Sequence, residues 1–118
     1  MIAEGDFSEA SGYRAMKTLL VQKPDAVFAA SDIMAAGAMR AVLENNLKIP
    51  EDVAFVGFDD LPMAALTEIK LTTVHQPITN IGVKAVELLM DVIANGGEPA
   101  RRIILDTKLI IRDSCGAI

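Results

Sequence analysis

Three short runs constrain this chain most: AVFAA at 26–30, VAFVGF at 53–58 and LTTVHQ at 71–76. Each has the length of a strand and is apolar or rich in β-branched residues, and each is flanked by Asp or Pro. Longer segments with apolar residues at helical spacing lie around them. Ala10, Tyr13, Met16, Leu19 and Leu20 share one face of a helix predicted over 8–22. IMAAGAMRAVLENN predicts a second helix and ITNIGVKAVELLMDVIA a third. Strands that alternate with helices predict an α/β fold with a mainly parallel sheet, because parallel neighbours need a crossover between them. VAFVGF is continuous enough to predict a strand buried on both faces.

Local signals punctuate these elements. Ser8 and Ser11 are capping candidates for the first helix, which Lys23-Pro24 ends. Ser31-Asp32 caps the second, and Asn46 is a left-handed terminator. LKIPEDV is a turn, and DDLPMAAL is a loop with one helical turn. Pro77 starts the third helix, whose apolar stripe is Ile78, Ile81, Ala85, Leu88, Leu89 and Val92. Asn95-Gly96-Gly97 stops it. RIIL and KLIIR then predict two short strands around Asp106-Thr107. The opening is unusual, because the first helix has no preceding strand to cross over from. Either the fold begins unusually or these residues are a piece of something longer.

The bulk numbers narrow the function classes. With 118 residues, 52% of them hydrophobic, the chain can build one core, and with 4% aromatics that core is mostly aliphatic. The net charge is −5 and the basic residues do not cluster, so these residues by themselves are not expected to hold nucleic acid. A single cysteine, Cys115, excludes an internal disulfide framework and fits a reducing compartment. The start does not read as a signal peptide. Lys84, Glu87 and Asp91 interrupt the most apolar helix, so no membrane span is expected.

VAFVGFDDLP delivers two carboxylates at the end of a strand, and in open α/β sheets ligands sit at such carboxyl ends. Asp32 follows the preceding strand and shares that rim. A receiver-type phosphoacceptor domain would also place an aspartate there. Its Mg²⁺ chemistry needs further acids at another strand end and a lysine, and only Asp32 is offered. Hydrolysis lacks its parts: His75 lies in the third strand, no Gly-x-Ser-x-Gly elbow exists, and Cys115 has no partner. One His, one Cys and scattered acids show no metal-ligand spacing. A polyol clamp remains, with a carboxylate accepting charge-assisted bonds from adjacent hydroxyls and Phe7 or Phe58 supplying a flat apolar surface. The structural alternatives are that Asp32 is a helix cap and that Asp59-Asp60 is a solvated loop.

EGDFSEASGYRAM, PDAVFAASDIMAAGAMRAV, IPEDVAFVGFDDLP and LTTVHQPITNIGVKAVELL, in that order, resemble the C-terminal part of the effector-binding domain of LacI/GalR-family transcription regulators. LDTKLIIRDS resembles the end of that domain, so the likeness spans essentially the whole chain. It implies a doubly wound, mainly parallel α/β sheet of the periplasmic-binding-protein-like type I fold, present in part. Residues 1–75 would belong to the C-terminal subdomain without its first strand. Residues 76–102 would be a crossover and a helix of an otherwise absent N-terminal subdomain, and residues 103–118 would be closing strands. The function implied is effector sensing and dimerisation in a DNA-binding repressor, in the cytoplasm, with no catalysis and no cofactor or metal. DNA would be reached only through a helix-turn-helix domain outside this sequence. The same fold serves sugar-binding proteins of transport systems, which are exported.

The resemblance also carries site residues. Phe7 matches an aromatic that stacks on the effector, a sugar or related small molecule, and could equally be core. Ser31 matches a polar position that touches the ligand. Asp59 matches the carboxylate that binds ligand hydroxyls. Gln76 matches a crossover position that reaches the effector or serves only as hinge. Asp32 matches a helix-start acid with a capping role, and Asp60 is expected to face away and hold the loop.

Overall fold

In the computed structural model, which describes residues 1–97 and 100–117, three α-helices and four strands follow in the order α1, β1, α2, β2, β3, α3, β4, with short 3-10 turns at Pro62–Ala65 and Asp113–Cys115. Helix α1 spans Glu9–Leu20, α2 spans Asp32–Glu44 and α3 spans Ile78–Asn95. The strands are β1 Ala26–Phe28, β2 Ala54–Asp59, β3 Thr72–His75 and β4 Lys108–Ile110. They form one sheet in the order β1-β2-β3-β4, parallel from β1 to β3, with β4 antiparallel to β3. Residues 98, 99 and 118, within the second and third expected segments, lie outside the described residues.

The helices begin where local chemistry dictates. Ser8 caps α1 by accepting from the Ser11 N–H, and Ser31 caps α2 by accepting from the Met34 N–H. Asn46 takes the expected left-handed conformation (φ 58°) after α2. Asp32 does not cap α2. It is the first helical residue, and its carboxylate turns away from the helix to other partners. Ser31 occupies the capping position because its extended backbone lets a short hydroxyl reach back to the open N–H groups.

Helices α1 and α2 pack against each other backbone to backbone. A Cβ at Gly12 would collide with the Met34 carbonyl oxygen, and one at Gly37 with the Glu9 carbonyl. Glycine at both crossing points lets the helix axes approach this closely. The paired helices cover one face of the sheet. There Met16, Met39, Val42, Ile49, Val53, Phe55 and Leu71 form a core that is almost wholly aliphatic, as the composition implies.

The prediction that β2 is buried on both faces is corrected. Phe55 and Gly57 are buried, but the intervening Ala54, Val56 and Phe58 are only half-buried. The reason is coverage: among the described residues both packed helices lie over the Phe55 face. The opposite face leaves Phe28 63% and Leu109 51% exposed, with Phe28 edge-on to Phe58. The strand expected at RIIL is also absent. Residues 101–107 carry no regular structure, and Ile104 is 72% exposed because no neighbouring strand edge is there to pair with it.

Helix α3 stands apart from this layer. None of its residues is buried. The molecule measures 58 × 28 × 20 Å, and its radius of gyration is 17.5 Å. A compact chain of this length has roughly 13.5 Å. Among the described residues no helix is long and apolar enough to cross a membrane.

Candidate functional site

The carboxyl ends of β1, β2 and β3 form one rim, where the chain leaves β2 in a strained way. Asp59 has φ 110° and Asp60 φ 55°. Two consecutive non-glycine residues at positive φ cost of the order of 1–3 kcal/mol each and persist only when their surroundings hold them.

Asp32 supplies much of that hold. It is fully buried, and it accepts from the Leu61 N–H at 2.8 Å and from the Thr73 hydroxyl at 2.6 Å. Thr73 Oγ1 in turn accepts from the Asp60 N–H at 3.3 Å. One buried carboxylate thus ties the first turn of α2 to β3 and to the loop after β2. Gly57 makes the room, since a Cβ there would collide with Asp32 Oδ1. Burial pushes the Asp32 carboxyl up, the bonds from Thr73 and Leu61 partly oppose this, and the charges of Asp59 and Asp60 add to it.

Asp59 and Asp60, adjacent in sequence, have different partners. Asp60 accepts from Arg112 Nη2 at 2.7 Å and pairs with His75 Nδ1 at 3.0 Å. Burial pushes its carboxyl up, but the bonds and charges of Arg112 and His75 outweigh this and hold it below the ordinary value. Arg112 also donates through Nη1 to the Leu71 carbonyl at 2.8 Å, so its guanidinium fork spans β3 to reach the loop. Asp59 is half-buried and, among the described residues, its carboxylate is held only by Gln76 Nε2, at 2.7 Å. That bond engages Oδ1, and among the described residues no hydrogen bond is made to Oδ2.

The four site residues expected from sequence therefore fall in different places. Asp59 and Gln76 touch. Ser31 is buried and caps α2, next to the Asp32 that holds the loop. Phe7, at φ 65° and 65% exposed, lines an apolar groove of about 620 Å³ together with Phe28, Ala30 and Met34. Asp60 holds the loop, as expected. Sequence reasoning missed Thr73 and Arg112 as parts of the rim. Each lies at least 13 residues from the loop residue it holds, and no local pattern marks either one. Among the described residues no group of three or more His, Cys, Asp or Glu is placed to hold a metal ion. What this rim can do chemically is accept hydrogen bonds from hydroxyls at a preset carboxylate.

Comparison with known proteins places this architecture. The family described as periplasmic binding protein-like domain matches residues 1–115. The HTH-type transcriptional regulator MalR of Clostridium butyricum is 39% identical over 117 residues, which is 98% of this chain and 35% of that protein. The solved complex of the transcriptional regulator CelR with cellobiose superposes with a TM-score of 0.88 at 41% identity, covering 93% of this chain and 34% of that one. A LacI family transcriptional regulator from Enterococcus faecium with bound ribose gives a TM-score of 0.87 at 31% identity, covering 98% and 43%. The chain thus spans about a third of the length of the curated relative it matches.

Proposed function

The chain belongs to the periplasmic binding protein-like domain family, with LacI-type transcription regulators as its relatives, and from that membership we propose that it forms one wall of their effector cleft. The effector is a small polyhydroxylated molecule, a sugar or a close analogue. The chain senses it without chemical turnover, in the cytoplasm, as part of a regulator whose DNA contacts lie outside these 118 residues.

The observation that carries this reading is Asp59. Its carboxylate sits at the end of the central β2, fixed on one oxygen by Gln76 and, among the described residues, without a hydrogen bond to the other. A preset anionic acceptor suits the vicinal hydroxyls of a sugar, because charge-assisted bonds are roughly twice as strong as neutral ones. Two of the similar structures contain cellobiose and ribose. Phe7 supplies the apolar surface of the same wall.

One wall binds weakly. A micromolar effector corresponds to about −8 kcal/mol, and an even division between two walls leaves about −4 kcal/mol, or millimolar affinity. Titration of the chain with ribose, cellobiose and related sugars, followed by NMR, is expected to give millimolar shifts centred on Asp59 and Gln76, lost in Asp59→Asn. Sugar shifts that ignore Asp59, or none at the solubility limit, overturn the reading.

In isolation the chain also self-associates through α3. Ile78, Val86, Leu89, Met90 and Ile93 are each more than half exposed on an 18-residue helix, an apolar surface that soluble monomers seldom leave open.

A further inference from the structure

Two hydrogen bonds lie side by side at the rim. Asp60 pairs with His75, and Asp59 pairs with Gln76. Together they join the end of β2 and the first residue of the loop after it to the end of β3, where the chain leaves the sheet for α3. We propose that His75, Asp60 and Arg112 form a proton-sensitive latch that positions Asp59 through Gln76. The latch stands on geometry alone, and its consequence for effector binding rests on the function proposed above.

The chemistry sets the polarity of the latch. Ionised Asp60 can only accept, and both its oxygens are engaged, Oδ1 by Arg112 and Oδ2 by His75 Nδ1. The His75 nitrogen must therefore carry a proton in either charge state. In the neutral ring it is a single N–H donor to a carboxylate. In the imidazolium both partners are charged, and the bond is markedly stronger. Arg112 is anchored independently on the Leu71 carbonyl, and its own backbone N–H donates to Thr72 Oγ1. It therefore holds Asp60 in place while His75 changes charge.

The other charged groups around His75 are few. Asp59 is its register partner on β2, Lys108 is its cross-strand partner on β4, and Arg112 stands behind Asp60. The His75 side chain is 46% exposed, so protons reach it freely. The next residue is Gln76, and its amide holds Asp59 Oδ1. A tighter His75–Asp60 bond therefore fixes the strand end from which Gln76 reaches Asp59, and a weaker one lets that end move. His75, Asp60 and Arg112 act as positioning residues, and Asp59 is the group they present.

His75 is the only histidine of the chain, so its ring signals are unambiguous. Gln22, just beyond α1, is the only other glutamine and serves as an internal control. The test is an NMR titration of the 118-residue chain without ligand across about pH 5 to 8, where imidazoles change charge. The Gln76 side-chain amide is expected to shift with the same midpoint as the His75 ring, with Gln22 unmoved. Asp60→Asn should uncouple the two signals, and Arg112→Lys, which keeps a cation at Asp60, should leave them partly coupled. A Gln76 amide that stays fixed while His75 titrates overturns the latch, as does full coupling in Asp60→Asn. If Asp60→Asn does not fold, the wild-type titration decides alone. Coupling in a chain that binds no sugar would leave the latch standing and remove the effector reading.

Discussion

At the scale of single residues the rim is an exercise in holding a strained loop with buried polar groups. Asp32 is the key to it. Asp32→Ala would leave the Leu61 N–H and the Thr73 hydroxyl without an acceptor, at about 1–3 kcal/mol for each group left unsatisfied. Urea unfolding should show that loss as a lowered midpoint with little change in slope. Gly57→Ala should act on the same contact from the other side, pushing Asp32 off the sheet at a cost of about 1–3 kcal/mol. Asp60 contributes differently. Its carboxyl is held below the ordinary value of 3.8, so its pairing stabilises the fold above that pH and is lost as pH falls through the lowered folded value. Asp60→Asn should therefore flatten the acid limb of stability, read from urea unfolding between about pH 2 and 5. Asp32 has the opposite sign: its raised carboxyl favours folding in the protonated form, and that contribution fades as pH rises through the folded value. The positions of Asp32 and Asp59 at strand ends were legible in the sequence. Their division of labour was not, because Thr73, His75 and Arg112 reach them across the sheet.

At the scale of elements the contrast is between α1 with α2 and α3. The first two are locked together by glycine crossings that tolerate no side chain. Gly37→Ala should force the helices apart and destabilise the core by about 1–3 kcal/mol or more, visible as a lowered thermal midpoint. No residue of helix α3 is buried, and most helical stability in proteins comes from the packing of an amphipathic face. Its amides should exchange with solvent far faster than those of β2. Val86→Glu with Leu89→Glu should leave the unfolding midpoint of the sheet layer unchanged while abolishing self-association in light scattering. A monodisperse wild-type monomer would count against the association surface. The helix itself was readable from its apolar period, from Pro77 and from Gly96. That its stripe meets only the short segment at Ile103 and Leu105 and is nowhere fully buried was not, since periodicity reports that a face is apolar and not what lies against it.

At the scale of the whole molecule the chain is a covered half-sheet with a helix projecting from it. Its carboxyl-end rim presents one preset acid, and that arrangement underlies the millimolar affinity expected for a single wall. The sequence by itself determined the order of elements, the helix boundaries to within a few residues, the aliphatic core and the family, because these rest on local period, capping chemistry and motif order. Only the tertiary structure decided the rest. It showed that Ser31 and not Asp32 caps α2, and that β2 is buried on one face. It left RIIL without a partner strand, and it joined Asp60 to Arg112 across 52 residues of chain. Each of these depends on which surfaces meet. A residue's own neighbours in sequence fix its backbone preference, but the partner of a carboxylate and the cover of a sheet face are chosen by distant parts of the chain.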